Sequence, residues 1–184
     1  MSLNETPRGE RVHIAIFGRR NVGKSRLINA LTGQEVSIVS EVKGTTTDPV
    51  SKAMELLPLG PVVIIDTPGL DDEGVLGALR VQRTREVLNR TDVALLVTEA
   101  EFGFGAFEQE LAAQVRGKSL PLVVVFNKAD LAAPAEAACR EAAAQSQAPV
   151  HVVSAATGAG VEDLKLALAR IVPEDDGKFR IVGD

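Results

Sequence analysis

"VHIAIFGRRNVGKSRLINALT", residues 12–32, decides the fold. A short β-branched apolar run (12–17) leads straight into two glycines, a lysine and a serine. An amphipathic pattern follows, which predicts a helix over 24–32. The eight residues in the middle, "GRRNVGKS" (18–25), fit the spacing G-x-x-x-x-G-K-[ST]. That spacing has a physical use. Glycines let the backbone wrap closely, and successive N–H groups at a helix N-terminus draw in negative charge. The stretch Gly18, Arg19, Arg20, Asn21, Val22, Gly23, Lys24 and Ser25 is therefore expected to cradle phosphates. Lys24 would reach the β- and γ-phosphates, where it counts as catalytic, and the Ser25 hydroxyl would bind Mg²⁺.

Outward from this loop, apolar runs alternate with helical patterns. "VHIAIF" (12–17), "VVIID" (62–66), "VALLVT" (93–98), "LVVVFN" (122–127) and "VHVVSA" (150–155) read as buried strands. Helices are expected at 24–32, 75–90, 105–117, 134–146 and 160–171. Residues 50–66 read as a hairpin turning at Pro58, Gly60 and Pro61, which adds one antiparallel edge strand. The prediction is a three-layer α/β fold with a mostly parallel six-stranded sheet, one antiparallel edge strand and helices on both faces. Residues 34–48 show no periodicity and read as a long mobile loop. The organisation expected is an N-terminal tail (1–10), a nucleotide-binding domain (11–173) and a linker (174–184) towards further domains.

The bulk numbers agree with one such unit. The chain has 184 residues, 45% of them hydrophobic, enough to bury a proper core. With neither Trp nor Tyr, that core must be aliphatic. A single cysteine, Cys139, excludes an internal disulfide and cannot alone hold an iron–sulfur cluster. The start "MSLNETPRGE" lacks the apolar segment of a signal peptide, and no apolar run approaches the ~20 residues that span a bilayer. A cytoplasmic location without membrane contact is expected. A net charge of -5 argues mildly against a general nucleic-acid binder and makes nucleic acid an unlikely partner, while leaving room for a local basic face.

Three further motifs carry the chemistry. "FNKAD" supplies Asn127, Lys128 and Asp130 at the end of a predicted strand. Guanine offers two donors on one edge, and the Asp130 carboxylate can accept both. Adenine would leave that carboxylate facing an acceptor, at a cost of roughly 2–5 kcal/mol. Asn127 would tie this loop to the phosphate loop, and the Lys128 stem would cover a face of the base. In "SAA" (154–156), Ser154 and Ala155 follow a strand, and the Ala155 N–H can donate to the guanine carbonyl oxygen. In "DTPG" (66–69), Asp66 can hold Mg²⁺ through water and the Gly69 N–H can meet the γ-phosphate. "GTTTD" (44–48) offers hydroxyls to the metal, Thr46 first and Thr45 second, ordering the loop with GTP and loosening it after hydrolysis. The catalytic set expected is Lys24, Thr46 and Gly69, and the Mg²⁺ set is Ser25, Thr46 and Asp66.

These motifs resemble the translation-factor-related GTPases, in the branch of the Era and tRNA-modification (TrmE, EngA) proteins, which implies the P-loop GTPase, Ras-like form of the fold and a GTPase domain over 11–173. Residues 44–74 and 80–97 resemble more particularly the GTPase domain of the HydF family, maturation factors of FeFe hydrogenase. That resemblance implies a slowly hydrolysing GTP switch serving iron–sulfur cluster assembly, with GTP/GDP, a homodimer and hydrogenase or other maturation proteins as partners. It also implies domains downstream that hold the cluster, whose ligands these residues do not supply. The alternatives are an Era- or tRNA-modification-like GTPase acting on RNA, and a nucleotide-gated interaction module with incidental hydrolysis. Leu70 stands where Ras-like proteins have a water-orienting Gln, so no general base is named; the acidic run 70–74 is a candidate for placing the water. GTPases resembling this one use Asn at the Asn21 position to hold K⁺, which would replace an arginine finger. Arg19 or Arg20 could instead act in cis. The run Arg80, Arg83, Arg85 and Arg90, and the three phenylalanines of "EFGFGAFEQE" (101–110), are candidate contact surfaces.

Overall fold

A computed structural model describes residues 11–33, 50–67 and 77–172. The expected tail, first-switch loop and linker, and with them Thr45, Thr46, Gly69, Leu70 and the acidic run, lie outside the described residues. The chain order is β1 (Val12–Gly18), α1 (Lys24–Thr32), β2 (Val50–Leu56), β3 (Gly60–Asp66), α2 (Gly77–Leu88), β4 (Val93–Glu99), α3 (Ala106–Gly117), β5 (Leu122–Asn127), α4 (Glu136–Ser146), β6 (Val150–Val152) and α5 (Val161–Ile171). The six strands form one sheet in the order β2-β3-β1-β4-β5-β6. β2 runs antiparallel to β3 as a hairpin, and every other pairing is parallel.

The apolar strand runs follow from burial on both faces. In β1, Val12, Ile14 and Ile16 join a core with Leu27, Leu31, Leu164 and Leu168 of α1 and α5. Ala15 and Phe17 alternate to the other face, with Val87 and Leu88 of α2 and Leu111, Ala112 and Val115 of α3. Val124 and Phe126 extend that second layer to Ala142 of α4. The period of two thus sorts one strand into two cores.

This arrangement places the loop after β1 at a switch point. The chain leaves β1 for β2 and β3 on one side and returns to β4 on the other, opening a crevice at the carboxyl ends of the strands. β6 is shorter than the sequence suggests. After Val152 the chain folds into a loop in which Ser154 N–H donates to Ala159 O (2.9 Å) and Gly158 N–H to Ser154 O (2.8 Å).

Candidate nucleotide site

The phosphate loop occupies residues 18–23, between β1 and α1. Two of its glycines are required by space. A Cβ on Gly18 would stand 2.5 Å from the Val97 carbonyl of β4, and one on Gly23 would strike the Asn127 side chain. Gly23 also adopts φ 90°, a left-handed conformation. Asn21 shares the left-handed region with φ 68°, which asparagine tolerates better than most residues. Within the loop, Lys24 Nζ donates to the Gly18 carbonyl (2.6 Å) and the Arg19 carbonyl (3.1 Å), so its ammonium lies over the strand-to-helix turn. Ser25 occupies the first turn of α1, and Asp66 ends β3 beside Ile16 of β1. Thr67 is buried and donates its hydroxyl to Ile16 O (2.8 Å), pinning the chain where it leaves β3.

Asn127 is the hinge of the base side. It is 2% exposed, and its two amide atoms are both used. Nδ2 donates to the Val22 carbonyl (2.9 Å), while Oδ1 accepts the Ala155 N–H (3.0 Å). One side chain therefore joins the phosphate loop, the end of β5 and the loop after β6. Sequence reading gave the Ala155 N–H to the purine, whereas the structure gives it to Asn127. Ser154 Oγ donates to Asp130 Oδ1 (2.8 Å) and accepts the Thr157 N–H (3.1 Å), which orients the carboxylate from below. The Lys128 ammonium donates to the Asn21 carbonyl and pairs with Glu99 Oε2 (3.0 Å).

The structure thus brings Gly18 to Ser25 together with Asn127, Lys128, Asp130, Ser154 and Ala155 at one end of the sheet, with Asp66 beside them. Glu99 and Thr67 went unread in the sequence. Glu99 closes β4 without belonging to any motif, and only its position level with Asn127 in the sheet reveals it. The Arg19 guanidinium turns to α3, where Nε donates to Glu108 Oε2 at 2.9 Å. Phe104 and Phe107 pack at the edge of the core, and Phe102 is 43% exposed.

A glycine-rich loop at the switch point of a mostly parallel sheet, feeding a helix with Lys and Ser at its start, defines a P-loop GTPase domain. The family model described as 50S ribosome-binding GTPase matches residues 13–128, and the chain belongs to that family. It is 37% identical over 174 residues to the tRNA modification GTPase MnmE of Chromobacterium violaceum, covering 92% of this chain and 37% of that protein. GTPase Der of Wolinella succinogenes is 37% identical over 132 residues, covering 70% of this chain and 27% of that protein. The chain therefore spans about a third of the length of these relatives. Among solved structures, Era in complex with MgGDPNP and a segment of 16S ribosomal RNA superposes with a TM-score of 0.72 at 29% identity, over 90% of this chain and 58% of that one. Aquifex aeolicus Era bound to GDP and AlF₄⁻ gives the same TM-score and identity, over 89% and 57%. The domain is a GTPase.

These kinships overturn two expectations. Hydrogenase maturation, the HydF assignment and iron–sulfur assembly conflict with relatives named for tRNA modification and with the likeness to Era. The expectation that nucleic acid is an unlikely partner is corrected by the Era complex with ribosomal RNA. Net charge sums over a whole surface, whereas RNA contact needs only a local face or a neighbouring domain. On the membrane question, no helix among the described residues is long and apolar enough to cross a bilayer.

Proposed function

We propose that residues 11–173 are the GTP-hydrolysing switch of a longer protein that acts on RNA, in the manner of its MnmE and Era relatives. The observation that carries the nucleotide reading is the pair of hydrogen bonds made by the Asn127 side chain, one donated and one accepted. By holding Val22 and Ala155 at once, it fixes the distance between phosphate loop and base loop. Asp130, oriented by Ser154, reads the purine edge. Lys24 neutralises charge building on the phosphates as the γ-phosphoryl leaves, and Gly69 and Thr46 close on that group from the switches. The RNA reading rests on the relatives: MnmE is a tRNA modification GTPase, and Era is seen in complex with ribosomal RNA.

The residues fit Mg²⁺. A serine hydroxyl at the start of α1 and a carboxylate at the end of β3 are hard oxygen donors, and Asp66 Oδ1 is buried. Ser25, Thr46 and Asp66 would hold the ion, which supplies charge neutralisation at the phosphates. K⁺ is assigned to Asn21, whose left-handed backbone sits in the middle of the loop. Phosphate release from GTP and from ATP, each in K⁺ and in Na⁺, tests the reading. Faster turnover of GTP than ATP, and faster in K⁺ than Na⁺, is expected. Equal rates with the two nucleotides would refute the guanine reading, and equal rates with the two cations the K⁺ assignment. Filter retention of total tRNA and of a 16S ribosomal RNA fragment by the full-length protein tests the RNA role, and retention of neither would contradict it.

A further inference from the structure

The loop between β4 and α3 holds a cluster that the nucleotide site does not use. Glu108, in the first turn of α3, has no exposed surface. Its carboxylate is shared: Oε1 accepts the Gly105 N–H (2.9 Å), capping α3, and Oε2 accepts Arg19 Nε (2.9 Å). The Arg19 guanidinium also lies 5.4 Å from the ring centre of Phe102 and 5.2 Å from that of Phe107. The Phe107 ring receives a second cation, Arg80 of α2, at 5.5 Å. Arg80 Nη2 in turn donates to Glu110 Oε2 (2.7 Å). Two like charges on one ring repel unless each is balanced, and here α3 provides each with its own acid.

Arg19 is consequently held at both ends. Its carbonyl accepts the Lys24 ammonium, and its side chain is gripped by Glu108 and Phe107. Arg80 stands in the first turn of α2, the helix that follows the second-switch motif, and Gln114 of α3 further ties that helix by donating to Val81 O (3.1 Å). The loop that carries the clamp is itself fixed, with Thr98 Oγ1 donating to Gly103 O (2.6 Å) and the Gly103 N–H to Glu99 O (2.9 Å). α2, Phe107, the Arg19 side chain and the Arg19 carbonyl that Lys24 bonds are thus joined by contiguous contacts.

We propose that Arg80, Phe107 and Arg19 form a relay by which the position of α2 sets how fast nucleotide leaves the phosphate loop. Arg19 is then a positioning residue, not a charge delivered to the phosphates. The inference rests on the reading of residues 18–25 as the phosphate site.

The test is stopped-flow release of a fluorescent GDP from the full chain, in a cycle of Arg80→Gln and Phe107→Leu. Arg80→Gln is expected to speed release about five-fold in the unsubstituted background and by no more than about 1.5-fold when Phe107 is already Leu. Glu110→Gln, which frees Arg80 and leaves the ring in place, should speed release about two-fold. A purely structural role would lower thermal stability without this dependence on background. Equal acceleration in both backgrounds, or release unchanged in Arg80→Gln and Glu110→Gln, overturns the relay. Should Phe107→Leu fail to fold, Glu110→Gln carries the test. No GDP binding by the unsubstituted chain would overturn the phosphate-loop reading together with the relay; intact binding with unchanged release overturns the relay alone.

Discussion

The two ends of the nucleotide site are built differently. On the base side, Asn127, Asp130, Ser154 and Ala155 are joined by short bonds between two loops that follow neighbouring strands, β5 and β6. On the phosphate side, the loop relies on support from far along the chain: Asn127 at the end of β5, Lys128 just after it, and Glu108 from α3. The base side is a rigid reader, since every bond that orients Asp130 lies within it. On the relay proposed above, the phosphate side is adjustable, because Arg19 is braced from α3 and, through Phe107, from α2. Rigidity suits discrimination between purines, and adjustability suits a loop that must bind both triphosphate and diphosphate.

The largest effect should come from the phosphate side. Lys24→Ala removes the ammonium that bonds the Gly18 and Arg19 carbonyls, and GTP hydrolysis should fall by about 10²–10³-fold, measured as phosphate release. Next comes the base side, where Asp130→Ala should erase most of the preference for guanine. By calorimetry the gap between GDP and ADP should close by roughly 2–5 kcal/mol. Asn127→Ala strikes both regions, leaving the Val22 carbonyl and the Ala155 N–H without their partner. Chemical denaturation should register about 1–3 kcal/mol for each group so stranded. If only nucleotide affinity fell and stability held, the view of Asn127 as the strut between the regions would be wrong. Ser154→Ala should be milder, about 1 kcal/mol, with a partial loss of guanine preference as Asp130 loosens.

A control lies outside both regions. On α4, burial first and the Glu136 charge second raise the Cys139 thiol above its ordinary value. Less thiolate is then present in the folded protein near neutrality, so alkylation at about pH 8 should be slower folded than unfolded. Because the raised value favours the neutral thiol, any stability it lends is present at low pH and fades as pH climbs past the ordinary thiol range.

The same contrast explains what was legible in the sequence. The strands announced themselves because both faces are buried, so "LVVVFN" could hardly be anything else. The phosphate loop and "NKAD" were readable because their chemistry requires fixed residue types at fixed spacing. Gly105 and Glu108 could be read locally as a helix start, with the acid reaching back to the cap. That the same carboxylate grips Arg19, 89 residues earlier, carries no local signature. Glu99 was missed for the same reason, and β6 was drawn too long because "VHVVSA" stays apolar after the chain has turned away. Composition misled most where it was asked about partners, since a net charge of -5 sums over the whole surface and does not exclude a local face for RNA.

Titration calorimetry of the full chain with GDP and with ADP, under identical magnesium, puts the whole account to its most direct trial. The site as built predicts guanosine binding at least about 100-fold tighter than adenosine. Equal affinity for the two diphosphates would contradict it.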